Sequence, residues 1–340
     1  MSGRGDFLRI VIAGASLLRG KELKLALGES SLAAAELGLL DEEFAAGTLT
    51  EAAGEPAVIE TVGDDSFLGA RIVFFTGSPA FAARHASAAE QAGAMVIDLS
   101  GGLAAENGAQ TWIPRLEAIL RPPEGMAGNR KRNIIVAPSA PSIVAVTLSA
   151  ALAALGLQRL AITFLQPVSE RGQEGVEELE AQVVKLLSFE PFTKEVFDEQ
   201  VGFNLLARFG EASRELLADA RTRIEKEMHA YLQGRAALPA IMLVQAPVFY
   251  AHTFSAWAEF ASPPDLAELT ERLESAGLKI AGEEDMPPSN VSVAGEAQPV
   301  LARPERDAGV TNGVWLWGAA DNLRVPVANA IAIAERLLAS

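Results

Sequence analysis

Four apolar runs of strand length, Leu8 to Ala13, Ile72 to Thr76, Met95 to Asp98 and Asn133 to Ala137, recur through the first 140 residues. Between them, Gly20 to Leu27 and Ala80 to Gln91 repeat apolar residues at helical period. Strands alternating with such helices predict a parallel sheet with crossover connections. The runs are continuous because both faces of a parallel sheet are covered. Beyond residue 140 the pattern changes. Ser142 to Leu155 predicts a long apolar helix, Leu160 to Leu165 a strand, and Gly175 to Leu187 a helix with Val176, Leu179, Val183 and Leu187 on one face. A helix within Glu211 to Leu232, a strand over Ile241 to Tyr250, and a helix then a strand in Leu266 to Gly282 complete a mixed α+β region. Val325 to Leu338 predicts a C-terminal helix with Pro326 in its first turn. Gly47 to Gly63 and Glu283 to Gly309 have no period and are expected as loops.

At 340 residues the chain exceeds what one core usually serves, so two domains are expected. The formal net charge of −16 disfavours nucleic acid and anionic membranes as partners. The longest apolar stretch, Ile134 to Leu157, is interrupted by Pro138 and Pro141 and predicts no membrane span. The N-terminal apolar run breaks at Gly14 without a cleavage pattern and reads as a first strand. Cysteine is absent, which excludes disulfides, thiolate metal sites and thiol catalysis, and a cytoplasmic location is expected. Three scattered histidines, His85, His229 and His252, argue against a metal site, and His85 and His229 are expected as surface or packing residues.

Three segments could carry chemistry. Gly14-Ala15-Ser16-Leu17-Leu18-Arg19-Gly20 follows the first strand and opens the first helix, where glycines let backbone N–H groups meet a pyrophosphate. Its middle position is Leu17, which would crowd the phosphates, and a glycine pair at such a turn also has purely steric explanations. Asp41, in Leu39-Leu40-Asp41-Glu42-Glu43, ends the expected second strand; an acid there accepts from ribose hydroxyls and repels the extra phosphate of NADP, so NAD is favoured if a dinucleotide binds. Three acids in a row also fit a solvated loop. In Pro138-Ser139-Ala140-Pro141-Ser142, Ser139 is suited to cap the next helix and Pro141 to its first turn. The start of a helix also lowers a thiol pKa and binds anions.

The order of NIIVAPSAPSIV, FLQPVSERGQEGVEELE, APVFYAHTFS and WLWGAADNLR resembles the aspartate-semialdehyde dehydrogenase family over nearly the whole chain. The resemblance implies an NAD(P)-binding Rossmann-type domain of residues 1–139 with 321–340, and an α+β catalytic and dimerisation domain of residues 140–320. It implies a homodimer that takes a small-molecule ligand. It also implies that Gly14, Ser16, Gly20, Asp41, Gly77, Ser78 and Asn322 would line a dinucleotide. The family's cysteine nucleophile aligns with Ala140, and the asparagine before it with Ser139. Its orienting glutamine aligns with Gln166 and its histidine base with His252. The arginine that binds the substrate carboxylate becomes Gln245, and the phosphate-binding arginine becomes Ala104. The Ser-Gly-Ala-Gly turn becomes Ser169-Glu170-Arg171-Gly172, and an arginine often used for the NADP phosphate aligns with Phe44, while Asp321-Asn322-Leu323-Arg324 is intact.

The departures fall on reacting groups and the matches mainly on framework. A cysteine-less paralogue without thioester chemistry is therefore the expected function. Two alternatives stand beside it: an oxidoreductase that uses Ser139 or Ser142 as nucleophile, or no nucleophile, and a dimeric interaction protein.

Overall fold

The computed structural model describes residues 8–52, 55–104, 106, 108–120 and 132–339. They divide into two compact units: Met1–Pro114 with Pro122–Pro138 and Pro326–Ser340, and Arg115–Arg121 with Ser139–Val325. The chain thus crosses between units at Pro114/Arg115, again between residues 120 and 132, beside Ser139 and at Val325/Pro326.

The first unit is built on strands β1 (Arg9–Ala13), β2 (Glu36–Asp41), β3 (Leu49–Ala52), β4 (Glu55–Val58), β5 (Glu60–Thr61), β6 (Ile72–Phe75), β7 (Met95–Asp98), β8 (Gln110–Thr111) and β9 (Ile134–Val136), with helices α1 (Leu18–Gly28) and α2 (Pro79–Gln91). Seven strands form one sheet in the order β5-β2-β1-β6-β7-β9-β8, and every pairing in it is parallel. The period of two along each strand divides the core between the faces. Ile10, Ile12, Ile72 and Phe74 pack with Leu23 and Leu27 of α1 and with Val327, Ile331 and Ile333 of the C-terminal helix. Val11, Ala13, Val73 and Phe75 pack with Phe81, Ala82, Ala86 and Ala89 of α2.

The second unit holds α3 (Ala140–Ala153), β10 (Leu157–Gln166), α4 (Gly172–Leu187), α5 (Leu217–Leu232), β11 (Ala240–Gln245), β12 (His252–Phe260), α6 (Leu266–Ser275), β13 (Lys279–Ile280), β14 (Val300–Leu301), β15 (Glu305–Arg306) and β16 (Gly313–Ala320), and α7 (Arg324–Leu338) leads back to the first. Its mixed sheet runs β11-β10-β12-β16-β14-β13, with β15 against β16. The apolar helix α3 is buried from Ala140 to Leu152 and packs on β10, α5 and α6. No helix among the described residues is long and apolar enough to cross a membrane.

Four expectations are corrected. Glu283 to Gly309 is not all loop: β14 and β15 within it both pair with β16. Gly47 to Gly63 is not a plain loop: β3 and β4 pair as a hairpin with Leu49 opposite Val58, and β5 joins the large sheet. Both residues of that pair are exposed, so the hairpin carries no buried apolar alternation to read. The strand expected over Ile241 to Tyr250 stops at Gln245, ahead of Pro247, which has no N–H to donate to a ladder. Helix α4 buries the predicted face only in part: Leu179 is buried, Val176 and Val183 are half-buried and Leu187 is exposed. It buries Gly175, Glu178, Leu179 and Gln182, and leaves Val184 and Leu187 exposed. The cause is the loop it covers. Glu178 accepts from the Val196 N–H at 2.6 Å, and Gln182 accepts from the Val201 and Gly202 N–H groups at 2.8 and 3.0 Å. Unpaired backbone donors beneath a helix cost more than a polar stripe upon it.

Candidate functional site

The first unit brings Gly14, Ser16, Gly20, Asp41, Gly77 and Ser78 together at the C-terminal ends of β1, β2 and β6, where a doubly wound sheet offers a ligand crevice. Gly14 has φ +102, and a Cβ there would lie 2.3 Å from the Gly77 nitrogen. A Cβ on Gly20 would lie 2.1 Å from the Gly14 carbonyl oxygen. Both glycines are therefore required by packing alone.

The backbone donors of the loop are largely spent inside it. The N–H groups of Gly14 and Ala15 donate to the Leu40 carbonyl at 2.8 and 3.1 Å, and that of Leu17 to the Gly14 carbonyl at 3.3 Å. Ser16 N–H donates at 2.7 Å to Asp41 Oδ2, a carboxylate 2% exposed. An incoming pyrophosphate would meet this charge and keep only the N–H groups at the start of α1. Ser78 caps α2 by accepting from Phe81 N–H at 3.1 Å and donates to Glu42 Oε1 at 3.2 Å. Nearby, Asp98 shapes the turn toward Ala104 by accepting from Ser100 N–H, Ser100 Oγ and Leu103 N–H at 2.8, 2.6 and 2.9 Å. Burial pushes the Asp98 carboxyl above its ordinary range, and these hydrogen bonds oppose the shift. Ala104 itself is exposed.

In the second unit the strand register places the remaining candidates. Gln166 pairs with Gln245 across β10 and β11, Leu165 pairs with Thr253 across β10 and β12, and His252 pairs with Ala320 across β12 and β16. Gln245, Gln166, His252 and Ala320 thus form a row at one end of the sheet. Gln245 is fully buried; its Nε2 donates to the Gln166 and Ala246 carbonyls at 2.9 and 3.0 Å, and its Oε1 accepts from Gln166 Nε2 at 3.3 Å. The neutral residue at the arginine position therefore engages the retained glutamine.

His252 is 1% exposed, its Nε2 lies 3.2 Å from Glu170 Oε1, and its ring meets Phe164 edge-on. Asn322 Nδ2 also donates to Glu170 Oε1, at 3.3 Å, and to Ser169 Oγ, at 3.0 Å. Its Oδ1 accepts from the N–H of Ala251, which holds a left-handed φ of 65. A left-handed alanine costs strain and persists where its surroundings fix it. Asn322 belongs to this second unit, where it sets the entry to His252. Arg171, beside Glu170, is paired with Glu215 and lies over the Phe209 ring at 5.2 Å; its burial lowers its pKa.

Ala140 is the first residue of α3 and is 1% exposed. Pro141 stands in the first helical turn as expected, but the predicted Ser139 cap is not made. Ser139 turns instead to Glu227 of α5, a residue the sequence reading did not single out. Glu227 Oε2 accepts from Ser139 N–H at 3.0 Å, Ser139 Oγ at 2.6 Å and Ser142 Oγ at 2.5 Å. A buried carboxylate draws three donors because each costs less there than an uncompensated charge. Glu227 follows Ile224 and precedes Tyr231 on the buried stripe of α5, so an acid on an apolar stripe was the available signal. Of the other histidines, His85 packs against the Phe81 ring at 4.8 Å, and His229 lies in the last turn of α5. Among the described residues no group of three or more His, Asp or Glu could hold a metal ion.

The profile of the semialdehyde dehydrogenase dimerisation domain matches residues 148–325. The USG-1 protein homolog of Pseudomonas aeruginosa is 30% identical, over 97% of this chain and 98% of that protein. The crystal structure of aspartate semialdehyde dehydrogenase II from Vibrio cholerae, complexed with ASA, superposes with a TM-score of 0.85 at 26% identity, covering 98% of this chain and 99% of that one. Aspartate semialdehyde dehydrogenase from Candida albicans, solved with NADP, shares the fold at a TM-score of 0.65 and 14% identity, over 98% of each chain.

Proposed function

The chain belongs to the aspartate-semialdehyde dehydrogenase family, and we propose that within it this protein has lost the phosphorylating dehydrogenation and keeps the scaffold as a homodimer. The observation that carries the reading is Ala140. A buried methyl group stands where the family's thiol would attack the aldehyde, in a chain without cysteine. Other positions support the same reading: Gln245 and Ala104 bring no charge to the two anionic reactants, and Glu170 rests against His252. The test is turnover of aspartate semialdehyde with phosphate and either NAD or NADP, followed by dinucleotide reduction. The expected result is no rate above an enzyme-free control, because loss of a nucleophile alone costs about 10⁶ in kcat. Sustained turnover by the unaltered chain would overturn the reading.

If a dinucleotide is held, NAD suits the crevice better than NADP, since Asp41 would repel a 2′-phosphate. The cysteine-free composition supports a cytoplasmic setting.

The homodimer reading rests on the uncovered face of the mixed sheet. Met242, Thr163, Ser255 and Trp317 lie in one cross-strand row, and Ala161, Trp257 and Trp315 in the next; Met242, Trp315 and Trp317 are 49, 46 and 39% exposed. The indole N–H groups are satisfied within the chain. Those of Trp257 and Trp315 donate to Asp307 Oδ2 at 3.1 and 2.7 Å, and that of Trp317 to the Pro288 carbonyl at 2.8 Å. The Gly309 and Val310 N–H groups, with the indoles of Trp315 and Trp257, hold the Asp307 carboxyl below its ordinary range. The rings are left as fixed apolar anchors of the kind that dominate interfaces. Replacing Trp315 and Trp317 together with glutamate is expected to weaken self-association by more than about 100-fold, read as a shift from dimer to monomer in light scattering. An unchanged dimer would place the contact elsewhere.

A further inference from the structure

Ser139 is the half-buried residue of its cluster, whereas Ala140 and Ser142 are buried. The three oxygens Ser139 Oγ, Ser142 Oγ and Glu227 Oε2 lie within 3.0 Å of one another. The two hydroxyls have two protons between them. Both hydroxyls donate to Oε2, and Ser139 makes no side-chain cap to the helix it precedes. A half-buried hydroxyl that donates to a buried carboxylate has the geometry of a nucleophile beside its base.

We propose that Ser139 is a nucleophile toward neutral activated acyl groups, esters or thioesters, with Glu227 as its base. This goes beyond the loss of thiol chemistry and does not depend on it. Ser139 Oγ bonds to the acyl carbon while its proton passes to Glu227. The leaving alkoxide or thiolate departs with that proton. Water then adds to the acyl-serine, giving one proton back through Glu227 to Ser139 Oγ, so that ester and water become acid and alcohol. The N–H of Ala140, at the first helical position, has no intrahelical acceptor and would be the donor to the developing oxyanion. An acyl group bearing its own carboxylate would meet the Glu227 charge, which restricts the class to neutral acyl groups. No hydride acceptor is needed, unlike reaction at an aldehyde.

The probe is an alkyl fluorophosphonate, which forms a Ser–O–P bond and releases fluoride with the serine proton. The folded full-length chain is expected to gain one adduct, mapped by peptide mass spectrometry to Ser139, and Ser139→Ala none. Glu227→Gln is expected to slow labelling at least tenfold. Should that variant fail to fold by circular dichroism, the wild-type pH profile replaces it. Labelling assisted by a carboxylate is flat from about pH 6 to about pH 9, whereas an unassisted hydroxyl gains about tenfold per pH unit. Absence of an adduct, an adduct mapped to Ser142 or a surface residue, or the unassisted profile would each overturn the proposal. Any of these would leave the semialdehyde turnover result untouched.

Discussion

Gly20→Ala is expected to destabilise the first unit by about 3–5 kcal/mol, the scale of a substitution that forces backbone apart in a packed core. The added Cβ would lie 2.1 Å from the Gly14 carbonyl oxygen and 2.9 Å from Ala15 Cα, and no flexible side chain is there to yield. Relief requires α1 to move off β1. That movement separates Leu23 and Leu27 from Ile10 and Ile12. Leu17→Gly, at the position where a dinucleotide loop would carry its middle glycine, is expected to cost less than about 1 kcal/mol, because Leu17 is 37% exposed and lies outside the helix interior. Chemical denaturation of the two variants checks both halves. A tolerated Gly20→Ala would mean that the glycine is kept for a ligand and not for packing.

The parallel sheet was legible because its strands are buried on both faces. Ile72 to Phe75 and Met95 to Asp98 read directly as apolar runs. The β3–β4 hairpin was not legible, since neither residue of its Leu49/Val58 pair is buried. Helix α4 was legible only in part, for a different reason. Its apolar positions suggest an inward face, but the requirement to satisfy Val196, Val201 and Gly202 N–H groups, set by a loop with no periodic signal, turned Glu178 and Gln182 inward. At the site, Ala140, Gln166, Gln245 and His252 could be named from motifs, and the register explains why three of them share a row. Glu227 escaped because its partner hydroxyls are about 85 residues away in sequence. The Ser169 to Gly172 turn was seen as altered, but which way Glu170 would point depended on Asn322, 152 residues downstream.

Glu170 changes what a reconstruction of the family chemistry must include. Ala140→Cys places the chain's sole thiol at the start of α3, where a helix N-terminus favours the thiolate. Alone it is expected to give alkylation by iodoacetamide and negligible semialdehyde turnover. Adding Ala104→Arg and Gln245→Arg supplies two charged contacts, each worth about 1.5–3 kcal/mol, so kcat/KM should rise by about 10²–10⁴ over the single variant. Gln245→Arg also frees the Gln166 amide from its present partner. His252 nevertheless stays engaged through Nε2 by Glu170: a carboxylate oxygen only accepts, so Nε2 holds its proton in this contact and is not free to take one from the thiol. Glu170→Gly, which restores the family's glycine in that turn, is therefore expected to add at least about tenfold to the triple variant, within the range of a general base regained. Steady-state kinetics of the single, triple and quadruple variants separates the contributions. Equal rates for triple and quadruple would show that Glu170 does not block His252. An inactive quadruple variant that still alkylates at Cys would place the remaining loss outside the four substituted positions.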